Sequence, residues 1–105
     1  MLVLPIKKKW FDMIQSGEKK EEYREIKPYY RKRFQNIGLL DQYGLPLVNM
    51  QRIILRNGYA ASSPQLEVTV SLEIKKGKPV WGSEPGKDYY VLRIEQIHKK
   101  GEKNN

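Results

Sequence analysis

Leu66-Glu67-Val68-Thr69-Val70-Ser71-Leu72-Glu73-Ile74 alternates apolar and polar residues along its whole length. Leu66, Val68, Val70, Leu72 and Ile74 form one face, and Glu67, Thr69, Ser71 and Glu73 the other. That period of two marks a strand with one side on a core. Lys76-Gly77-Lys78-Pro79 closes it, and after the loop Trp81-Gly82-Ser83-Glu84-Pro85-Gly86 a further strand runs from Tyr89 to Ile97. Upstream, Arg52-Ile53-Ile54-Leu55-Arg56 reads as a buried strand ended by Asn57-Gly58, a strong turn signal. The small-residue loop 60–64 joins the two strands.

Toward the N-terminus the period changes. Ile6, Trp10, Met13 and Ile14 recur at helical spacing, with Pro5 suited to a first turn and Gly17 to a stop. The spacing predicts a helix from Pro5 to Ser16, with Trp10 as a core anchor. Lys19 to Ile26 reads as a strand, and Pro28 to Ile37 as a short helix with Tyr30, Phe34 and Ile37 inward. Gly38 to Asn49 is a loop. The economical architecture is α+β: a small antiparallel sheet curled into a barrel, with two or three short helices plugging or flanking it. Residues 1–98 make a single domain and residues 99–105 a polar tail.

Size and composition limit the chemistry. A chain of 105 residues supports one modest core. There is no cysteine and only one histidine, His98, which leaves no thiolate or histidine metal motif and no serine–histidine triad. No cofactor motif is present. No apolar run approaches the ~20 residues of a membrane span, and no signal segment precedes Lys7, so the expected location is the cytoplasm. The net charge of +8 favours anionic partners, nucleic acid above all. Residues 1–37 hold ten of the twenty basic residues and five of the twelve acidic ones.

The densest polar stretch is Ser16-Gly17-Glu18-Lys19-Lys20-Glu21-Glu22-Tyr23-Arg24, with three cations and three glutamates in nine residues. Two readings stay open: a solvated lattice of ion pairs worth little, or a polar site. In the second, Lys19 acts as base or nucleophile where burial lowers its pKa, and Arg24 holds a carboxylate, phosphate or base edge. Strict alternation puts Lys19 on the face opposite Glu22 and Arg24. The three converge only where Lys19 precedes the regular strand or occupies a bulge. Arg56-Asn57-Gly58-Tyr59 combines a fork donor, an amide and an aromatic at a strand end, suited to a base or to a plain turn. Trp81 stacks or packs. Tyr29-Tyr30-Arg31-Lys32-Arg33 interleaves aromatics with cations, as nucleic-acid surfaces do. Glu67 and Glu73 lie about 20 Å apart on one strand, too far to act as a pair.

Gly17-x-Lys19-x-x-Glu22-x-Arg24 resembles the GxKxxExR signature of ASCH domains, which have a PUA-like barrel fold. The supporting segments agree in order over nearly the whole chain: the preceding helix, Pro28-Tyr29-Tyr30, Arg56-Asn57-Gly58-Tyr59, Trp81-Gly82 and the closing strand. The style is that of short bacterial and phage-borne members. The resemblance implies a cleft at the barrel mouth suited to RNA or a nucleotide, involving Gly17, Lys19, Glu22, Arg24, Arg56, Asn57, Tyr59 and Trp81. Arg31, Lys32 and Arg33 would contact phosphate.

Some small ASCH proteins are amidohydrolases that remove the acetyl group from acetylated cytidine. They use the signature lysine, a threonine three residues later, and a glutamate. The lysine falls on Lys19; the threonine position carries Glu22 here, and Glu84 is the only glutamate between Lys75 and Asp88. The implied functions are thus an RNA- or nucleotide-binding module, with a nucleoside amidohydrolase using Lys19 and Glu22 as the alternative. A third is an accessory protein-interaction domain, which would display a contiguous apolar patch.

Overall fold

A computed structural model describes residues 1–98; the expected polar tail, 99–105, lies outside the described residues. The elements in chain order are β1 (Val3–Ile6), α1 (Lys8–Gln15), β2 (Glu21–Arg24), α2 (Pro28–Asn36), β3 (Gln51–Asn57), β4 (Gln65–Lys76), a 3-10 turn (Pro79–Trp81) and β5 (Asp88–His98). The strands form one five-stranded sheet in the order β1-β3-β4-β5-β2. β3, β4, β5 and β2 pair antiparallel in succession, whereas β1 lies parallel to β3.

The sheet is therefore mixed, not antiparallel throughout, and among the described residues its ladder is not closed: β1 and β2 are its edges. Pro5 and Ile6, expected in the first helical turn, instead belong with Val3 and Leu4 to strand β1. Ile6 fits both readings, because a single apolar residue at a strand–helix junction satisfies either period. Pro5 is tolerated because β1 is an edge strand. The carbonyls of Leu2 and Ile6 accept from Ile54 and Gly58 on the β3 side, so the alternating backbone turns the Pro5 carbonyl the other way. α1 then starts at Lys8 and β2 at Glu21, later than their periodicities suggested.

Curvature comes from β4 and β5. Their register shifts between Thr69 and Val70, where Thr69 faces Gln96 but Val70 faces Ile94, a bulge that increases local twist. The concave face holds one hydrophobic cluster: Leu4 and Ile6 from β1, Ile53 and Leu55 from β3, Val68, Val70 and Leu72 from β4, and Tyr90 and Leu92 from β5. α1 contributes Phe11 and Ile14, and α2 contributes Phe34. Phe34 meets Tyr90 edge-on at 5.4 Å between centroids. Each such side chain, fully buried, contributes about 1.5–3 kcal/mol. Ile74, expected inward, is exposed because the β4–β5 ribbon projects past the core at that end.

Candidate functional site

The turn from α1 to β2 sets the position of Lys19. Gly17 adopts a left-handed φ of +87°, and its N–H bonds to the Ile14 carbonyl at 3.0 Å, while the Lys19 N–H returns to Met13 at 2.9 Å. Lys19 thereby precedes the regular strand and is not bound by its alternation. Its ammonium lies 2.9 Å from Oε1 of Glu22 and donates to the carbonyl of Glu21. It also sits 4.8 Å from the Tyr23 ring centre and 5.3 Å from that of Trp10. Lys19 is only 1 % exposed. Burial lowers its pKa below the usual 10.5, with Glu22 pulling the other way by charge and hydrogen bond.

Glu22 bridges two cations. Its Oε2 accepts from Nη1 of Arg24 at 2.5 Å, so Lys19, Glu22 and Arg24 form one buried network with a single excess positive charge. Nη1 of Arg24 also donates to the Tyr23 carbonyl, and Nη2 donates to the Pro5 carbonyl, both at 2.8 Å. The fork expected to face a ligand is thus largely committed inside the protein. It spans from β2 to β1, the two edges of the open sheet.

A cleft of about 590 Å³ opens on this seam. β2 supplies Glu22, Tyr23 and Arg24; α2 supplies Tyr30; the end of β3 supplies Asn57, with Gly58 and Tyr59 following it. Pro5 and Ile6 of β1, Lys7, and Lys8 and Trp10 of α1 form a further wall, and Trp81 and Gly82 close the side opposite. The volume suits a small ligand. Trp10, expected in the core, is half-buried and faces this cleft. Gly82 has a φ of +106°, and a Cβ there would stand 2.9 Å from the Trp10 ring, so glycine permits both the turn and the contact. Residues 78–84 form a strap pinned by two tyrosine hydroxyls: Lys78 N–H bonds to Tyr23 and Glu84 N–H to Tyr89, each at 2.9 Å. Burial pushes the Tyr23 phenol above its ordinary range, so it stays protonated and donates to Glu21 at 2.8 Å.

The other candidate residues divide. Asn57, Tyr59 and Trp81 line the cleft together with Glu22 and Arg24, and Tyr59 is 88 % exposed. Gly17 and Lys19 border a separate depression of about 230 Å³ beside Lys20 and Ile94, so Lys19, expected in the cleft, is not among the cleft's lining residues and reaches it only through Glu22. Arg56 is not among the lining residues; its Nε donates to Gln65 at 2.8 Å. Arg31, Lys32 and Arg33 lie on α2 away from the cleft wall. Arg33 stacks 3.5 Å over Tyr29, and Arg31 rests against Gly44. Glu84 is exposed near Lys87, Glu67 pairs with Arg52 and Glu73 with Lys75. None of these three glutamates is a partner of Lys19.

Sequence reasoning missed Glu21, Tyr23 and the rim lysines Lys7 and Lys8. Glu21 is buried and met by Lys75 at 3.3 Å. The Lys7-Lys8-Lys9 run one turn from Trp10 was the available signal for the rim. Among the described residues no group of three or more acidic, histidine or cysteine side chains could hold a metal ion, and no helix is long and apolar enough to cross a membrane. Comparison with family models, curated proteins and solved structures finds no match to this chain.

Proposed function

We propose that this chain is a small ASCH-type module of the PUA-like class that binds RNA or a nucleotide in the cytoplasm. The observation that carries the reading is the convergence of Lys19, Glu22 and Arg24 in one buried network at the head of an aromatic cleft. A surface ion-pair lattice would leave these groups in water. In this reading the curled sheet is the barrel body, with Arg24 spanning the interval that no ladder closes. The basic α2 surface at Arg31, Lys32 and Arg33 lies outside the cleft and contacts phosphates beyond the bound nucleotide.

Titration with single-stranded RNA, duplex RNA and DNA at several salt concentrations tests this. Single-stranded RNA binding should weaken with salt, and Arg31→Ala, Lys32→Ala and Arg33→Ala should each reduce the log–log slope by about 0.7 where that cation meets a phosphate. Absence of binding at low salt, or binding indifferent to salt, would overturn it.

One observation favours a second reading, hydrolysis of an acetylated cytidine. The burial that lowers the pKa of Lys19 enlarges the neutral fraction able to take a proton from water, and Glu22, 2.9 Å away, relays that proton from Lys19 to the departing amine. Hydroxide adds to the acetyl carbonyl, the C–N bond breaks, and cytidine and acetate leave. This route requires Trp10 to swing away from the ammonium. Turnover by wild type, lost in Lys19→Ala, supports it; a pure binding module gives none. The accessory-domain reading rests on the exposed Tyr43, Leu45, Val48 and Met50, and predicts neither affinity nor turnover.

A further inference from the structure

β4 outruns its neighbour β3. Their pairing ends at Val70, opposite Gln51, while the pairing of β4 with β5 continues to Lys76. Ser71-Leu72-Glu73-Ile74-Lys75-Lys76 therefore has no strand on its β3 flank, and among the described residues no backbone bond reaches it from the 38–50 loop. The other two edges are shorter and interrupted, β1 by Pro5 and β2 by the reach of Arg24. Between the open flank of β4 and the 46–50 segment lies a groove of about 690 Å³, walled by the exposed Leu47, Val48 and Met50. It shares no lining residue with the cleft.

Beyond the nucleotide reading, and independently of it, we propose that this flank pairs with the same flank of a second copy of the chain, antiparallel about a two-fold axis at Ile74. The side chains choose both the occupant and the register. A two-fold perpendicular to the sheet sets each inner-face residue beside an inner-face residue of the copy, so the axis passes beside a residue. At Ile74 it sets that exposed side chain against its counterpart and Glu73 against the copy's Lys75 on both sides of the axis. Moved one residue either way, it sets Glu73 against Glu73 or Lys75 against Lys75. Charges on an edge ordinarily discourage pairing; here they discourage only the shifted registers. Glu73 already meets Lys75 of its own strand at 3.2 Å, so the four charges alternate around the axis. The incoming Lys76 falls opposite Leu72, where the apolar walls of the groove cover its stem. An unrelated extended peptide could satisfy the backbone equally, but the self-complementary order of charges singles out a second copy.

Sedimentation over a concentration series tests this. Wild type should reach twice the chain mass. Glu73→Lys and Lys75→Glu should each lose the dimer, because like charges then oppose each other at both pairs. An equimolar mixture of the two variants should regain it, because every reversed charge meets its opposite. Lys75 also lies 3.3 Å from the buried Glu21, so Lys75→Glu can fail to fold, and a second variant then carries the test. The chain has no cysteine, and Ile74→Cys places a thiol at the axis. Directly opposed residues stand about 4.5–5.5 Å apart between Cα atoms, within disulfide reach. Mild oxidation should give a covalent dimer, lost when Glu73→Lys is added.

A wild type that stays monomeric overturns the proposal and leaves the flank to a foreign strand. A dimer that survives Glu73→Lys, or folded variants that do not associate when mixed, overturns the register and with it the argument for a second copy. None of these outcomes alters the reading of the cleft.

Discussion

Lys19 is a cation held at 1 % exposure, and such a group persists only when its desolvation is offset at close range. Glu22, the Glu21 carbonyl and the faces of Trp10 and Tyr23 supply that offset. Burial remains the largest influence on its titration, and it sets the sign of a pH effect. Unfolded Lys19 titrates near 10.5 and folded Lys19 below it, so between those values the unfolded chain binds more protons. The Lys19 contribution therefore rises with pH across that interval and levels off above 10.5. Lys19→Met lacks this titration and leaves Glu22 paired with Arg24, so at pH 7 it should cost about 1–2 kcal/mol. Urea unfolding of both proteins from pH 7 to 10.5 should show wild type gaining on the variant as pH rises. A constant difference would mean that Glu22 cancels the effect of burial at this site, and a shrinking one that it outweighs it. The sequence named Lys19, Glu22 and Arg24 by their spacing, but it did not indicate that Arg24 would turn inward, because the Pro5 carbonyl that receives it lies nineteen residues away on a strand not recognised as one.

At the level of elements, local period was informative wherever one face was buried and the other wet. β4 shows this from Leu66 to Leu72, and α2 follows its proline and its Phe34. Legibility ended where a second element decided the outcome. β1 depends on a parallel partner some fifty residues away, pairing Val3 with Ile54, and nothing in Val3-Leu4-Pro5-Ile6 announces that pairing. Trp10 has the right helical phase for the core, yet the strap crosses above it and makes it a cleft wall. That strap owes its approach to Gly82. Gly82→Ala adds a methyl group 2.9 Å from the Trp10 ring at a φ of +106°, so the strap must lift. The expected cost is about 1–3 kcal/mol. Tryptophan emission should shift to the red as Trp10 and Trp81 gain water, and solvent-accessible lysine labelling should extend to Lys19. Unchanged emission and labelling would show that the strap does not seal the ammonium.

Over the whole molecule, five strands curl far enough for the outer two to face each other, but the ladder stops short of closing. An open edge is a template for unwanted pairing, and native sheets cover or interrupt it. Here β1 carries Pro5 and β2 has only four residues, and the guanidinium of Arg24 reaches across the interval to the Pro5 carbonyl. One side chain thus joins the two ends of the sheet and holds Glu22 at the cleft floor, which couples the closure of the fold to the shape of the site. Arg24→Met keeps the apolar stem but removes every donor, leaving Glu22 to Lys19 alone and the Pro5 carbonyl without its partner. The expected loss is about 2–4 kcal/mol, combining a half-dismantled buried ion network with an unmet carbonyl. The distribution of that loss is the sharper test. β4 and β5 are central and share the longest ladder, so their amides should keep their protection in hydrogen exchange, whereas those of β1 and β2 should exchange faster as the edges separate. Uniform loss of protection across all five strands would show Arg24 to be an ordinary core contributor, and no change in β1 would show that the bond to Pro5 holds nothing closed.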